Sequence, residues 1–278
     1  MAPYKKVVLV ILDGLRPEAI TPEVMPSLSA LSADHWRAAH AVTISPSVTV
    51  AALTSLATGV APQRHGMIEP GPKAIGALAG LHLLPAHLRK HHRQTTIITT
   101  DIPLPSLILA KTLLGLAGSV ELATGGAEPV SVGAVAVREI VRRGPGLSVV
   151  YLNDCDQAGH ASMWMSPVYL EAAARLDKAV TLLAELARRE DTLLLCCADH
   201  GGGGLVPNDH DGDHPLNLRI PIILAGKGVK RRTISQRPAQ LLDLPPTILD
   251  ALGVLVPASY EGRVLTEAFA AEATSAVA

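Results

Sequence analysis

The stretch VVLVILDG, residues 7–14, holds six consecutive apolar residues followed directly by Asp13-Gly14. An uninterrupted apolar run of this length predicts a strand buried on both faces, as in a parallel sheet covered by helices. Similar short runs occupy residues 95–100, 147–152, 192–197 and 220–225. Helical patterns lie between them, at residues 26–32, 50–57, 167–189 and 241–252. This alternation predicts an α/β fold, and Ser166 before Pro167 is a typical helix start.

Composition narrows the class of protein. The chain has 278 residues, 48% hydrophobic and 18% charged, with a net charge of −1. These values exclude a disordered chain and give no basic surface for nucleic acid. The apolar run near the N-terminus is too short for a signal peptide, and three cysteines, two of them adjacent, indicate buried reduced thiols rather than disulfides. We therefore expect a cytoplasmic protein with no membrane contact, while its oligomeric state stays open.

No repeat or linker divides the chain, so we expect one catalytic domain over residues 1–278. Residues 71–146 are the least regular part, with Gly-, Ala- and Leu-rich stretches and a basic cluster at residues 89–93. We interpret this segment as a possible insertion or cap within the domain.

Polar side chains follow three of the predicted strands. The first strand is followed by Asp13, the strand at 147–152 by Asp156 and His160, and the strand at 192–197 by Asp199-His200. The carboxyl ends of parallel strands meet at one crevice, so these groups are expected to converge. Each group alone is also typical of an ordinary turn or cap. Together, carboxylates and imidazoles suit Zn²⁺ or Mn²⁺.

Two further segments carry groups of the right type. The loop DHDGDH at residues 209–214 offers His210 and His214, although such a loop is also typical of a solvated acidic turn. Thr49 precedes a predicted helix, where backbone N–H groups favour an anion. An ordinary Thr cap would look the same.

Seven motifs in order resemble the alkaline phosphatase superfamily, and more closely its type I phosphodiesterase/nucleotide pyrophosphatase branch. The motifs are VILDGLRP (10–17), MPSLSALSADHWRAAHAVTISPSVT (25–49) with LATGVAPQRHGM (56–67), YLNDCDQAGH (151–160), ADHGG (198–202), a His-containing loop before IPIILAGKGV (220–229), LLDLPPTILDALGV (241–254) and EGRVL (261–265). They cover most of the chain outside residues 71–146. The resemblance implies a three-layer αβα sandwich with a mostly parallel central sheet.

The resemblance also implies a site with two divalent metal ions, zinc or alternatively manganese. It makes Asp13, Thr49, Asp199 and His200 the ligands of one ion. Asp156, His160 and a loop histidine would hold the other, with His210 preferred over His214 because His-Gly-x-x-x-Pro is frequent in the family. Thr49, nine residues before Thr58, would be the nucleophile that forms a phosphothreonine.

The implied activity is hydrolysis of a small-molecule phosphate ester, as in phosphodiesterases and nucleotide pyrophosphatases. The chain departs from nucleotide-cleaving members at Ala51, Ala52 and Leu53, where Pro, Asn and His are usual. The alternatives are a phosphomonoesterase, a phosphonate hydrolase, or an inactive metal-binding relative. Phosphoglycerate mutases carry a large inserted domain that 75 or so residues do not accommodate, and the sulfatase branch needs a Cys or Ser in place of Thr49.

Overall fold

The computed structural model describes residues 4–69, 78, 80–101 and 120–270. The interpretation of residues 71–146 as an insertion therefore falls partly outside the described residues. No helix in these ranges is long and apolar enough to cross a membrane.

The strands follow one another along the chain as short, largely buried segments. They are β1 (Lys6–Leu12), β2 (Trp36–Ala38), β3 (Ala41–Val42), β4 (Gln94–Thr99), β5 (Val120–Thr124), β6 (Gly146–Leu152), β7 (Thr192–Cys197), β8 (Ile222–Gly226), β9 (Thr233–Ser235) and β10 (Ala239–Gln240). Eight of them form one sheet in the order β5-β4-β6-β1-β7-β8-β2-β9, and β10 pairs with β3 beside it.

The five consecutive strands β5-β4-β6-β1-β7, which begin at one edge of the sheet, are all parallel. All six residues of β7 are buried, and only Lys6 of β1 is partly exposed. This confirms the strands predicted at residues 7–12, 95–100, 147–152 and 192–197. Strands β4 and β5, from the segment 71–146, form one edge of this same sheet, and whether the rest of the segment is an insertion stays a prediction.

The fifth predicted strand is present as β8, but it runs antiparallel to β7 rather than parallel. A parallel neighbour needs a crossover of a dozen or more residues, usually a helix. Residues 198–221, which connect β7 to β8, contain one helix of only four residues, Pro215–Leu218. The connection leaves β7 at its carboxyl end and enters β8 at the same end of the sheet, so β8 runs in the direction opposite to β7.

The helices follow the apolar patterns of the sequence. They are α1 (Pro26–Asp34), α2 (Thr49–Thr58), α3 (Pro62–His65), α4 (Leu84–Lys90), α5 (Pro129–Arg142), α6 (Asp154–Ser162), α7 (Pro167–Ala184), α8 (Pro215–Leu218) and α9 (Leu244–Ala251). The Ser166 hydroxyl accepts a hydrogen bond from the Tyr169 N–H, which confirms the predicted start of α7. The pattern at 167–189 ends in a 3-10 turn at Glu185–Arg188, and the pattern at 241–252 begins with one at Leu241–Asp243.

Two groups of helices cover the sheet. Helices α1, α5 and α6 pack against α7, whereas α3, α4 and α9 pack against α2. Since the central strands are buried on both faces, the result is the αβα sandwich that was predicted. The three cysteines, Cys155, Cys196 and Cys197, are buried and unpaired as expected, while the cytoplasmic location stays a prediction.

Candidate metal centre

The register of the central strands sets the position of the site. Ile11 of β1 lies beside Cys197 of β7, and Leu12 lies beside Leu152 of β6. Two residues beyond Ile11 and Cys197 come Asp13 and Asp199, which therefore leave the sheet at the same level. Residues 153–156 leave β6 at that edge, and the Asp156 N–H donates to the Asp13 carbonyl at 3.1 Å.

Three carboxylates meet at this edge with little access to water. Asp13 is 2% exposed and Asp199 is fully buried. Burial and the neighbouring Asp13 charge raise the pKa of Asp199 to about 7. Burial also raises the pKa of Asp156, although the nearby imidazoles of His200 and His160 counteract it. Buried carboxylates pushed this far from their ordinary pKa need a cation or a proton for charge balance.

His200 is the positive partner of these carboxylates. Its Nε2 lies 3.2 Å from Asp13 Oδ1, 3.7 Å from Asp199 Oδ2 and 3.9 Å from Asp156 Oδ1. Burial alone would lower the pKa of His200, but the Asp199 and Asp13 carboxylates raise it to about 10. Without another cation, the imidazolium of His200 supplies the charge balance of the cluster.

Three histidines share one hydrogen-bonding arrangement. In each ring Nδ1 lies within hydrogen-bond distance of a backbone carbonyl: His200 on Gly201 (2.8 Å), His210 on Ser47 (2.7 Å) and His160 on Asn208 (3.0 Å). Each ring Nε2 lies within 4 Å of a carboxylate oxygen of the cluster. A backbone acceptor for one ring nitrogen fixes the tautomer that leaves the other nitrogen free to bind a metal.

The structure places His210 and His214 in different environments. His210 is 8% exposed, its ring stacks on His200 at a centroid distance of 3.9 Å, and its Nε2 lies 3.7 Å from Asp156 Oδ1. Burial and the neighbouring His200 lower the pKa of His210. His214 instead caps α8, where its Nδ1 accepts a hydrogen bond from the Leu216 N–H at 3.2 Å.

Thr49 is the first residue of α2, and its hydroxyl lies 3.1 Å from His200 Nε2. The preceding residue, Val48, provides no side-chain cap for the helix. Within the residues that the structure describes, no side chain caps the first N–H groups of α2 beside the carboxylate cluster.

The donor set fits divalent metal ions. Two groups have ligand atoms that all lie within 4.8 Å of one another: Asp13, Asp199 and His200, and Asp156, His200 and His210. Asp13 Oδ1, Asp156 Oδ1 and Asp199 Oδ2 are buried oxygens that accept no hydrogen bond from the described residues. Buried oxygens without donors are costly unless a cation binds them. His160 lies at the more exposed rim, with Nε2 3.4 Å from Asp156 Oδ1.

Comparison with known proteins agrees with this architecture. Residues 7–70 match the family described as type I phosphodiesterase / nucleotide pyrophosphatase, and residues 131–255 match the family described as the metalloenzyme superfamily. A structure described as a protein in the alkaline phosphatase superfamily from Vibrio parahaemolyticus superposes with a TM-score of 0.70 at 17% identity, covering 97% of this chain and 71% of the other. The chain therefore has an alkaline-phosphatase-like fold, and two separate parts of it resemble two families of enzymes.

Two other matches, one in structure and one in sequence, are to enzymes with different reactions. The phosphonate monoester hydrolase of Silicibacter pomeroyi superposes with a TM-score of 0.67 at 16% identity, over 94% of this chain and 76% of the hydrolase. In sequence, the chain is 31% identical over 134 residues to 2,3-bisphosphoglycerate-independent phosphoglycerate mutase 2 of Methanosarcina acetivorans, which covers 46% of this chain. The matched part spans only about a quarter of the length of that mutase.

Sequence reasoning missed residues that hold this cluster together. The Tyr151 hydroxyl donates to Asp13 Oδ2. The Ser47 hydroxyl donates to the His210 carbonyl at 2.6 Å, in return for the bond from His210 Nδ1 to the Ser47 carbonyl. Tyr151 lies inside a quoted motif, and Ser47 lies two residues before Thr49, but only the fold shows which groups they contact.

Proposed function

We propose that the protein is a metal-dependent hydrolase of phosphoric esters, with diesters ahead of monoesters and Thr49 as the nucleophile. The supporting observation is the position of the Thr49 hydroxyl. It lies 3.1 Å from His200 Nε2, at the start of α2 and beside three carboxylates with unpartnered oxygens. A hydroxyl in such surroundings is placed for attack on an anionic ester.

The first turn of α2 would bind the phosphoryl group. The N–H groups at a helix start and the helix dipole favour an anion, and here no side-chain cap competes for them. Ala51 and Ala52 are fully buried in the core, and Leu53 is half-buried. None of these side chains offers a polar contact to a nucleotide, so the backbone carries most of the recognition of phosphoryl oxygens by α2.

The site would hold two divalent ions. We propose Asp13, Thr49, Asp199 and His200 as ligands of one, and Asp156, His160 and His210 as ligands of the other, with zinc ahead of manganese. When bound, such ions lower the pKa of a coordinated hydroxyl and offset the charge of the phosphoryl oxygens.

The chain's own groups account for the rest of the proposed reaction. The Thr49 hydroxyl loses its proton to water and its oxygen attacks phosphorus, so that a Thr–O–P bond forms while the P–O bond to the leaving group breaks and the leaving oxygen takes a proton from water. Water then cleaves the phosphothreonine and restores the Thr49 hydroxyl. Between these steps the bond from His200 Nδ1 to the Gly201 carbonyl keeps the imidazole directed at Thr49.

A second candidate is phosphoryl transfer, in which a substrate hydroxyl replaces water as the acceptor. The match to phosphoglycerate mutases favours it. The two candidates share the Thr49 step and differ in the product, because transfer retains the phosphate on an organic molecule whereas hydrolysis releases it.

The test uses the purified protein with Zn²⁺ or Mn²⁺ and a panel of a chromogenic phosphodiester, a phosphomonoester and a phosphonate ester. Replacing Thr49 with Ala should lower turnover by at least about 10³-fold, as expected for the loss of a covalent nucleophile, and leave metal content near two ions per chain. Thr54→Ala is the matched control, because its hydroxyl bonds the Val50 carbonyl within the same helix. Full activity in the Thr49→Ala variant would disprove the assignment.

A further inference from the structure

Trp164 lies in the connection between α6 and α7 and is only 6% exposed. Its ring meets the edges of two proposed ligands. The centroid distance is 5.2 Å to His160, with an interplanar angle of 81°, and 5.8 Å to His210, with an angle of 71°. Edge-to-face contacts of this kind are favourable and depend on ring orientation.

The polar end of Trp164 reaches a different part of the site. The indole N–H donates to the Gly14 carbonyl at 2.9 Å. The Tyr169 hydroxyl donates to the same carbonyl at 2.9 Å, so both lone pairs of this oxygen are used. Gly14 directly follows Asp13, and Trp164 therefore links the end of β1 to the segments that carry His160 and His210.

The space around the indole depends on three glycines. A Cβ at Gly202 would lie 2.1 Å from Trp164 Cε2, one at Gly159 would lie 2.6 Å from the same atom, and one at Gly203 would lie 2.7 Å from Trp164 Cβ. Gly159 precedes His160, and Gly202 and Gly203 follow His200 closely. The absence of side chains at these positions lets the ring pack directly on the ligand-bearing backbone.

The backbone on both sides of Trp164 is strained. Met163 has φ of 71° and Met165 has φ of 64°, a region that residues with a Cβ rarely adopt. Strained residues persist where the surroundings fix them, and they concentrate at functional sites. The two methionines turn the chain so that the Trp164 side chain points into the site.

We infer that Trp164 is a positioning residue for the metal centre, which holds the His160 and His210 rings in the orientation that binds the second ion. The inference rests on the ligand set of the proposed function. The torsion that rotates an imidazole about its bond to Cβ is broad. One hydrogen bond from Nδ1 limits this torsion, and the indole edge contact limits it further. Groups that orient metal ligands contribute to affinity without touching the ion.

The test measures metal binding without any substrate. Zn²⁺ is titrated into the metal-free full-length chain in competition with a chromogenic chelator, for the wild type, Trp164→Phe and Trp164→Ala. Trp164→Phe keeps a ring against the histidines and loses the N–H donor, and Trp164→Ala loses both. Trp36→Phe is the matched control, because Trp36 is fully buried in β2, which lies three strands away from β1 in the sheet.

We expect Trp164→Ala to weaken the second Zn²⁺ by roughly 10–100-fold, the usual loss when an orienting group is removed. Trp164→Phe should fall between Trp164→Ala and the wild type, with a loss of more than threefold, and Trp36→Phe should bind as the wild type does. Second-ion affinity within threefold of the wild type in a folded Trp164→Ala variant overturns the inference. If Trp164→Ala does not fold, the same threefold limit applied to Trp164→Phe decides. Failure of the proposed hydrolysis would leave this binding result unaffected.

Discussion

Replacing Asp199 with Asn should stabilise the metal-free protein and abolish binding of the ion that Asp13, Asp199 and His200 are proposed to hold. Asp199 Oδ1 accepts hydrogen bonds from the N–H groups of Gly14 (3.3 Å) and His200 (3.1 Å). An Asn carbonyl oxygen can accept both bonds. The Asn amide would replace Oδ2, which accepts no hydrogen bond in the described structure, and would donate towards the Asp13 carboxylate. The change therefore removes a buried negative charge while keeping the shape of the side chain.

The expected magnitude follows from the pKa of Asp199. Burial and the neighbouring Asp13 raise it from 3.8 to about 7. At about 1.4 kcal/mol per pKa unit, the ionised side chain destabilises the folded state by about 4 kcal/mol at alkaline pH. His200 loses an anionic partner in the variant, which offsets part of the gain. We therefore expect Asp199→Asn to raise the free energy of unfolding by about 2 kcal/mol.

Urea denaturation at about pH 8 in the presence of a chelator measures this difference. The folded-state pKa of Asp199 is raised, so the wild type loses stability as the pH rises through 7, and the advantage of the variant should shrink near pH 5. With Zn²⁺ the order should reverse, because the wild type gains binding energy from two ions and the variant from one. Asp250→Asn, an exposed change on α9, should stay within about 0.5 kcal/mol of the wild type. If the Asp199→Asn variant is less stable than the wild type at pH 8 in the presence of the chelator, the reasoning is refuted.

Three other predictions concern the same site. His210→Ala should lose the second ion, whereas His214→Ala should keep both ions and lose only about 1 kcal/mol of stability with its helix cap. The metal content per chain distinguishes the two variants. Loss of the ion in His214→Ala but not in His210→Ala would make His214 the ligand. Zn²⁺ affinity should rise from about pH 6 to pH 8, because the ion displaces the proton that the carboxylates hold on His200. Calorimetry in two buffers of different ionisation enthalpy measures the released proton. An affinity that does not change with pH would contradict this prediction. Gly202→Ala should lower the free energy of unfolding by about 1–3 kcal/mol, because the new Cβ would overlap the Trp164 indole. Gly144 has open space around it, so Gly144→Ala should leave the stability unchanged. Thermal denaturation measures both variants.

The central strands were predictable because their residues face the core on both sides. A continuous apolar run such as residues 7–12 has few other uses in a chain of this composition, and β1 follows it within one residue. The clustering of Asp13 and Asp199 was also predictable, because both residues follow the carboxyl ends of parallel strands, which meet at one end of the sheet. These inferences need only local pattern and a general rule of sheet topology.

Other features depend on contacts between distant segments. The choice between His210 and His214 stayed open in the sequence because both lie in one polar loop, and their difference arises from the Ser47 carbonyl and from α8. The antiparallel direction of β8 depends on the path of a connection with almost no regular structure. Tyr151 lies inside a motif and Trp164 lies in none, but the contacts of both with Asp13 and Gly14 appear only in the fold.

The carboxylate cluster is better suited to binding a cation than to stabilising the fold. Asp13, Asp156 and Asp199 place around one imidazolium three buried oxygens that accept no hydrogen bond from the described part of the chain. Apolar or amide side chains of similar size would stabilise the fold better, and a bound cation would offset the cost of burying these oxygens. The same oxygens that make the metal-free protein less stable at alkaline pH are those a divalent ion would bind. Stability measured with and without metal therefore reports directly on whether the proposed ligands are correct.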